Sequence, residues 1–135
     1  MELNKEFAAS AQTRTTSAKY QAITRGGNHS IIADEPEIIG GTDTGPTPYD
    51  LLLASLGSCT AITLKMYIER KEWPIDEIIV DMELFKRDAG TLIEIRLSFK
   101  GELSEDQNKR LVQIANLCPI HKLLAGNIFI DTAIK

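Results

Sequence analysis

Cysteine and histidine are scarce in this chain of 135 residues, which holds two of each: Cys59, Cys118, His29 and His121. The usual zinc signatures need two close ligand pairs, and Cys118-x-x-His121 is the one close mixed pair here. No metal ion and no other cofactor is expected. Positive charge is also short, with 15 Lys and Arg against 19 Asp and Glu and a net charge of -4. That balance argues against nucleic acid or an anionic membrane as the main partner. No uninterrupted apolar run approaches the ~18 residues of a membrane span. The charged start Met1-Glu-Leu-Asn-Lys-Glu-Phe7 lacks the apolar centre of a signal peptide. A cytoplasmic protein is therefore expected, in which a thiol pair is more often catalytic or redox-sensing than structural. Neither repeats nor low-complexity segments occur, and the length suits a single domain over residues 1–135.

What is present reads as an α+β chain. Residues 1–17 are polar and weakly patterned, fit for a strand or a loose arm. Tyr20–Thr24 and Ser30–Ala33 flank Gly26-Gly27-Asn28, which predicts a β-hairpin. Residues 34–45 form a loop. Its Gly40-Gly41-Thr-Asp-Thr-Gly45 stretch precedes a helix start, a place that suits an anion. The stretch lacks the Gly-Lys-Ser/Thr ending of a phosphate loop and the pattern of a dinucleotide fingerprint, so a tight connection is the simpler reading. Asp34, Glu35 and Asp50 are carboxylates close by.

Thr47-Pro48-Tyr49-Asp50 opens a helix, with Thr47 as cap, Pro48 at the first position and Asp50 completing a capping box. The helix is expected to reach about Arg70, and its first half is apolar nearly all round, which predicts burial on most sides. Strands are expected over 78–85 and 93–99, about a turn at Asp88-Ala-Gly90. In the second, Ile93, Ile95, Leu97 and Phe99 alternate with polar residues, so one face should be buried and one wet. Ser104-Glu-Asp-Gln107 is a second capping box and opens a helix with Leu111, Ile114 and Ala115 on one face. Cys118-Pro119 opens a third, short helix ending near Gly126, and 128–134 reads as a closing strand. The expected order is β-β-α-β-β-α-α-β, a sheet with helices on one face.

The two cysteines carry the chemical interest. Cys118 precedes a proline at a helix start, where free N–H groups and the helix dipole lower a thiol pKa. His121 and Lys122 follow within a turn. The bland alternative is a half-exposed cap without a role. Cys59 lies in Leu56-Gly-Ser-Cys-Thr-Ala61, among small residues that let another segment or a ligand approach. It reads equally as a small buried hydrophobe. Arg14 and Arg25 are the candidate cations of the N-terminal part for stabilising a thiolate, Arg25 lying beside Gly26-Gly27 at the hairpin turn.

Gly45-Pro-Thr-Pro-Tyr-Asp-Leu-Leu52, Leu56-Gly-Ser-Cys-Thr-Ala61 and Cys118-Pro-Ile-His-Lys122 together resemble the OsmC/Ohr superfamily, named for osmotically inducible protein C. The similarity runs from about Lys19 to the end of the chain. It implies an OsmC-like fold, with antiparallel sheets wrapped around long central helices in an intertwined homodimer. The helix from Thr47 would be one of those central helices. It also implies a thiol-dependent peroxidase that acts on organic hydroperoxides without a cofactor, with Cys59 as peroxidatic and Cys118 as resolving cysteine. A dithiol would be the reductant, and Arg25 is the candidate cation. The Ohr and OsmC peroxidases carry a glutamate directly after the proline of the helix-start motif, where it helps to hold the catalytic arginine. This chain has Tyr49 there and Asp50 next, the form of a less characterised OsmC-like subgroup. The alternative expectation is a non-catalytic domain that binds a small apolar ligand or senses redox state.

Overall fold

The computed structural model describes residues 4–135, which fall into two compact units, one up to Leu51 and one from Leu52 onward. The first unit is a three-stranded antiparallel sheet, β1 (Gln12–Thr15), β2 (Ala22–Gly26) and β3 (His29–Ala33), in the order β1-β2-β3. The predicted hairpin is present. Gly26 pairs with His29, which leaves a two-residue turn of Gly27, at φ 59°, and Asn28. β1 forms within the polar segment for which a strand or an arm was expected. One 3-10 turn, Glu37–Ile39, breaks the loop that follows.

That loop is built around an anion of its own. Asp34 is buried at 1% exposure. Its carboxylate accepts the hydroxyls of Thr42 (2.5 Å) and Thr44 (2.6 Å) and the backbone N–H groups of Thr44 (3.1 Å) and Glu35 (2.7 Å). The Thr42 and Thr44 hydroxyls, helped by these N–H groups against the cost of burial, hold the Asp34 carboxyl well below the usual carboxylate range. A side chain at Gly41 would overlap the Glu35 carbonyl, and one at Gly45 the Ile32 carbonyl, so the glycines let the loop close on itself. The anion-ready appearance of this stretch thus has an internal cause.

Helix α1 (Pro48–Lys71) starts at the expected capping box. The Asp50 N–H donates to Thr47 Oγ1, and the Thr47 N–H donates to the Asp50 carboxylate, both at 3.1 Å. Asp50 is thereby a helix-starting residue. The second unit holds most of α1, the long hairpin of β4 (Ile75–Arg87) and β5 (Gly90–Gly101), then α2 (Glu105–Ala115) and α3 (Pro119–Ala125). β4 and β5 pair antiparallel through a two-residue turn, with Gly90 at φ 104°. The capping box of α2 is complete, with Ser104 Oγ accepting from the Gln107 N–H. Leu64, Tyr67 and Ile68 of α1 pack with Ile75, and with Leu111, Ile114 and Ala115 of α2. Leu97 and Phe99 join that core as half-buried residues from the alternating strand. Tyr67 also accepts a hydrogen bond from Arg110 Nε at 3.1 Å and meets Trp73 edge to face at 5.5 Å.

Three expectations fail. Residues 127–135 form no strand, and Phe129, Ile130 and Ile134 are at least 85% exposed. Their alternation suits a sheet, but no strand edge among the described residues receives them. Second, the apolar first half of α1 is not enclosed. Between Pro48 and Cys59 Leu56 and Gly57 are the buried residues, while Tyr49 and Leu52 are exposed. A single chain has too few elements to cover all sides of that helix. Third, Cys118 is not half-exposed but fully buried. In addition, α1 is long and apolar enough to cross a membrane by length and composition, with a mean hydropathy of 1.5, although Ser55, Ser58, Thr60 and Thr63 interrupt its apolar run.

Candidate functional site

Each cysteine is placed by local chain chemistry. Cys118 caps α3 because Pro119 has no N–H and a fixed helical φ. Cys118 Sγ accepts the His121 N–H at 3.5 Å, and its own N–H donates to Ala115 O at 3.2 Å, which ties the cap to the end of α2. Cys59 lies midway along α1, two residues after Gly57. A Cβ at Gly57 would stand 2.5 Å from Met82 Cε, so this glycine lets β4 pack directly on the helix.

The fold brings the two thiols together. Both are reduced; Cys59 shares a cleft with Pro119 and Ile120, the residues that follow Cys118, and each thiol shifts the ionisation of the other. They differ in access. Cys118 is fully buried, whereas Cys59 is partly exposed and lines an open cleft of about 410 Å³. Ile62, Met66, Pro119 and Ile120 give this cleft an apolar wall, and Ser55, Ser58 and Thr63 add hydroxyls.

They differ in charge as well. Burial, and then the contact with Cys118, push the Cys59 thiol up; the Ile120 N–H and the Thr63 hydroxyl work weakly the other way. Burial also acts to raise Cys118, but four donors outweigh it: the Cys59 S–H, the His121 N–H, the Thr60 hydroxyl and the Ile120 N–H. The Cys118 thiol is lowered in consequence. Cys118 is therefore the more readily ionised of the two thiols.

This asymmetry has a pH signature. Cys118, being lowered, adds stability that is present above the ordinary thiol pKa of about 8.5 and is lost as pH falls through its folded value. Cys59, being raised, adds stability that is present below that ordinary value and is lost as pH rises through its folded one. Thiolate ultraviolet absorbance of the reduced protein should therefore rise in two separate steps, one below and one above about pH 8.5. A single step of two thiols would contradict the assignment.

Of the other residues singled out, Arg25 lies on β2 in the first unit, opposite Gln12 of β1, and lines a groove with Arg14, Ile23 and Ser30. No cation is among the groups that shift either thiol. His121 contributes its backbone N–H, and its side chain lines a separate apolar pocket of about 190 Å³ with Leu56, Ile93, Ile95 and Leu124. Among the described residues no group of three or more His, Cys, Asp or Glu is placed to hold a metal ion. Sequence reasoning missed Thr63, which lines the Cys59 cleft; its position four residues after Cys59 puts it on the same face of the helix, and that spacing was the available signal.

The profile of the OsmC-like protein family matches residues 41–133, which includes both cysteine motifs. No curated protein matches the chain. Solved structures share its fold. An OsmC-like protein from Mycoplasma pneumoniae superposes with a TM-score of 0.76 at 17% identity, covering 90% of each chain. The organic hydroperoxide resistance protein OhrB of Bacillus subtilis gives 0.59 at 25% identity, over 90% of this chain and 93% of its own. An organic hydroperoxide resistance protein OsmC from Legionella pneumophila gives 0.63 at 16%, over 92% and 93%.

Proposed function

Because the chain belongs to the OsmC-like protein family, we propose that it is a cytoplasmic thiol-dependent peroxidase that reduces organic hydroperoxides through Cys59 and Cys118. The observation that carries this reading is the placement of one reduced thiol, Cys59, in an apolar cleft walled by Pro119 and Ile120, the residues that follow the other, Cys118. Relatives that share the fold are named organic hydroperoxide resistance proteins, which supports it.

The chemistry balances as follows. The Cys59 thiolate attacks the distal oxygen of R–O–OH. The O–O bond breaks, an S–O bond forms, and the alkoxide leaves and takes a proton as R–OH. Cys59 is then a sulfenic acid. Cys118 attacks that sulfur and releases water, which leaves a Cys59–Cys118 disulfide. An external dithiol reduces the disulfide by exchange and is itself oxidised. The position of Cys59 beside the Cys118–Ile120 segment makes the second step intramolecular and short-ranged. Arg25 is assigned the part of a cation favouring the thiolate. Ile62, Met66 and Ile120 favour an alkyl over an inorganic peroxide.

In this reading residues 1–135 act as one OsmC-like domain in an intertwined homodimer, in which a second copy covers α1 and receives the C-terminal segment. The exposed apolar residues Tyr49, Leu52, Ile62 and Met66 on α1, and Phe129, Ile130 and Ile134, support it, because a monomer would leave them all in water. Light scattering at micromolar concentration should give twice the chain mass. A monomer there would remove the dimer.

A second reading, a redox sensor or small-ligand domain without turnover, is favoured by the burial that pushes the Cys59 thiol up and by Tyr49 in place of the family glutamate. Steady-state consumption of an alkyl hydroperoxide with a dithiol separates the two. Catalytic turnover supports the peroxidase, and a single stoichiometric oxidation supports the sensor.

A further inference from the structure

A second cavity lies in the same unit as the thiols, and the peroxide chemistry above makes no use of it. It holds about 190 Å³ between β5, α1 and α3. Side chains alternate along β5, so Thr91, Ile93 and Ile95 share a face with Leu97 and Phe99. Leu97 and Phe99 pack on the main core, whereas the Thr91–Ile95 end of that face meets Leu56 of α1 and the side of α3. α3 is seven residues long and ends in Ala125, whose single methyl group leaves the space open. The cavity has no lining residue in common with the Cys59 cleft. α3 divides the two, with Pro119 and Ile120 on the cleft and His121, Leu124 and Ala125 on the cavity.

The walls restrict what could enter. No Lys, Arg, Asp or Glu lines the cavity, so an ionised head group would find no fixed counter-charge there. The polar groups are the half-buried His121 ring and the Thr91 hydroxyl at the rim, and neither has a hydrogen-bond partner among the described residues. A neutral imidazole offers one donor and one acceptor nitrogen, and a hydroxyl both donates and accepts. All other walls are Leu, Ile and Ala. A dry apolar cavity of about 150 Å³ is large enough to take benzene. This one has room for a single ring, or an alkyl chain of that size, with one small head group.

We propose that this cavity is a binding site for a small neutral hydroxyl compound, a monocyclic phenol or a short-chain alcohol. Its hydroxyl is held by His121, and its apolar body lies against Ile93, Ile95 and Leu124. The proposal goes beyond the peroxidase reading and stands without it. The pairing is reciprocal: the ligand hydroxyl keeps a hydrogen bond on leaving water, and the imidazole gains the one it lacks. His121 also ties the site to the thiols. Its backbone N–H donates to Cys118 Sγ at 3.5 Å, so a ligand on its ring bears on the residue that holds Cys118.

The test uses the reduced protein without peroxide, which separates its outcome from that of the peroxidase reading. The probes are p-cresol and toluene, which differ by one hydroxyl. Methyl and histidine-ring NMR shifts are followed as each is added. p-Cresol should saturate with a Kd on the order of 1 mM. It should shift the methyls of Ile93, Ile95 and Leu124 and the His121 ring, and leave the Ile62 methyls of the Cys59 cleft unmoved. Toluene should bind in the same place about fivefold more weakly, the worth of one hydrogen bond. In His121→Leu the affinity for p-cresol should fall to that for toluene. Ala125→Leu, which fills the cavity from an exposed position, should abolish the shifts from both probes. Shifts centred on Ile62 and Met66, shifts that rise without saturating, or a preference for p-cresol that survives His121→Leu overturn the proposal. Thermal melts show whether His121→Leu folds. If it does not, the wild type decides: a fivefold preference for p-cresol with a shifted His121 ring supports the proposal, and equal binding of the two probes overturns it.

Discussion

Cys59→Ser should lower turnover of an alkyl hydroperoxide by on the order of 10³-fold or more, the scale on which loss of a nucleophile acts. Serine keeps the volume and places an alcohol where the thiol stood, so packing around Gly57 and Met82 is preserved while the nucleophile is lost. Cys118→Ser should behave differently. The first oxidation survives, because Cys59 still meets the cleft, but no second thiol in the chain can close a disulfide. The oxidised form of that variant is then a sulfenic acid that a thiol reagent traps. Burial is the main cause of the raised Cys59 thiol and Cys118 adds to it, so without Cys118 alkylation of Cys59 should begin at somewhat lower pH than in the wild type. Full turnover by Cys59→Ser would remove the nucleophile assignment.

Leu111→Ala should be the most damaging conservative change to stability, at about 2–5 kcal/mol. Leu111 is fully buried on α2 and packs with Leu64, Tyr67 and Ile68 of α1. Removing its branch leaves a cavity among rigid neighbours, because Tyr67 is held by Trp73 and by Arg110. For a chain of this size such a loss lowers the melting temperature by about 10 °C or more. The same packing anchors α2, whose last residue, Ala115, accepts the Cys118 N–H, so the reactivity of the thiol pair should fall with it. A melting temperature within about 2 °C of the wild type would mean that this cluster is not the core.

How legible these features were in the sequence depended on how local they are. The capping boxes at Thr47–Asp50 and Ser104–Gln107, the helix start at Cys118-Pro119 and the hairpin around Gly27-Asn28 are each decided within a few residues, and each stands where the sequence placed it. Burial is a different matter. The apolar run of α1 signals that something covers it, without saying what. In the single chain much of it is bare, as are Phe129 and Ile130. The closing strand failed for the same reason, since a strand needs an edge and alternation alone does not supply one.

At the site, proximity of Cys59 and Cys118 is a tertiary fact that neither motif contains; the family resemblance implied the pairing, and the structure sets Cys59 in one cleft with Pro119 and Ile120. The order of their ionisation had no sequence signal beyond Pro119. It depends on how many donors converge on each sulfur, and the buried one collects more. Asp34 was noted as a carboxylate near the loop, but its part as the anion at the loop's centre rests on Thr42 and Thr44 folding back on it.

The central claim, that Cys59 and Cys118 form one redox couple, is tested most directly by intact mass and free-thiol count after one equivalent of an alkyl hydroperoxide is added to the reduced protein. The account predicts rapid loss of both thiols in the same chain, a fall in mass of two hydrogen atoms, and recovery of both with a dithiol. Two thiols left unreacted, or a disulfide that joins Cys59 of one chain to Cys59 of another, would contradict it.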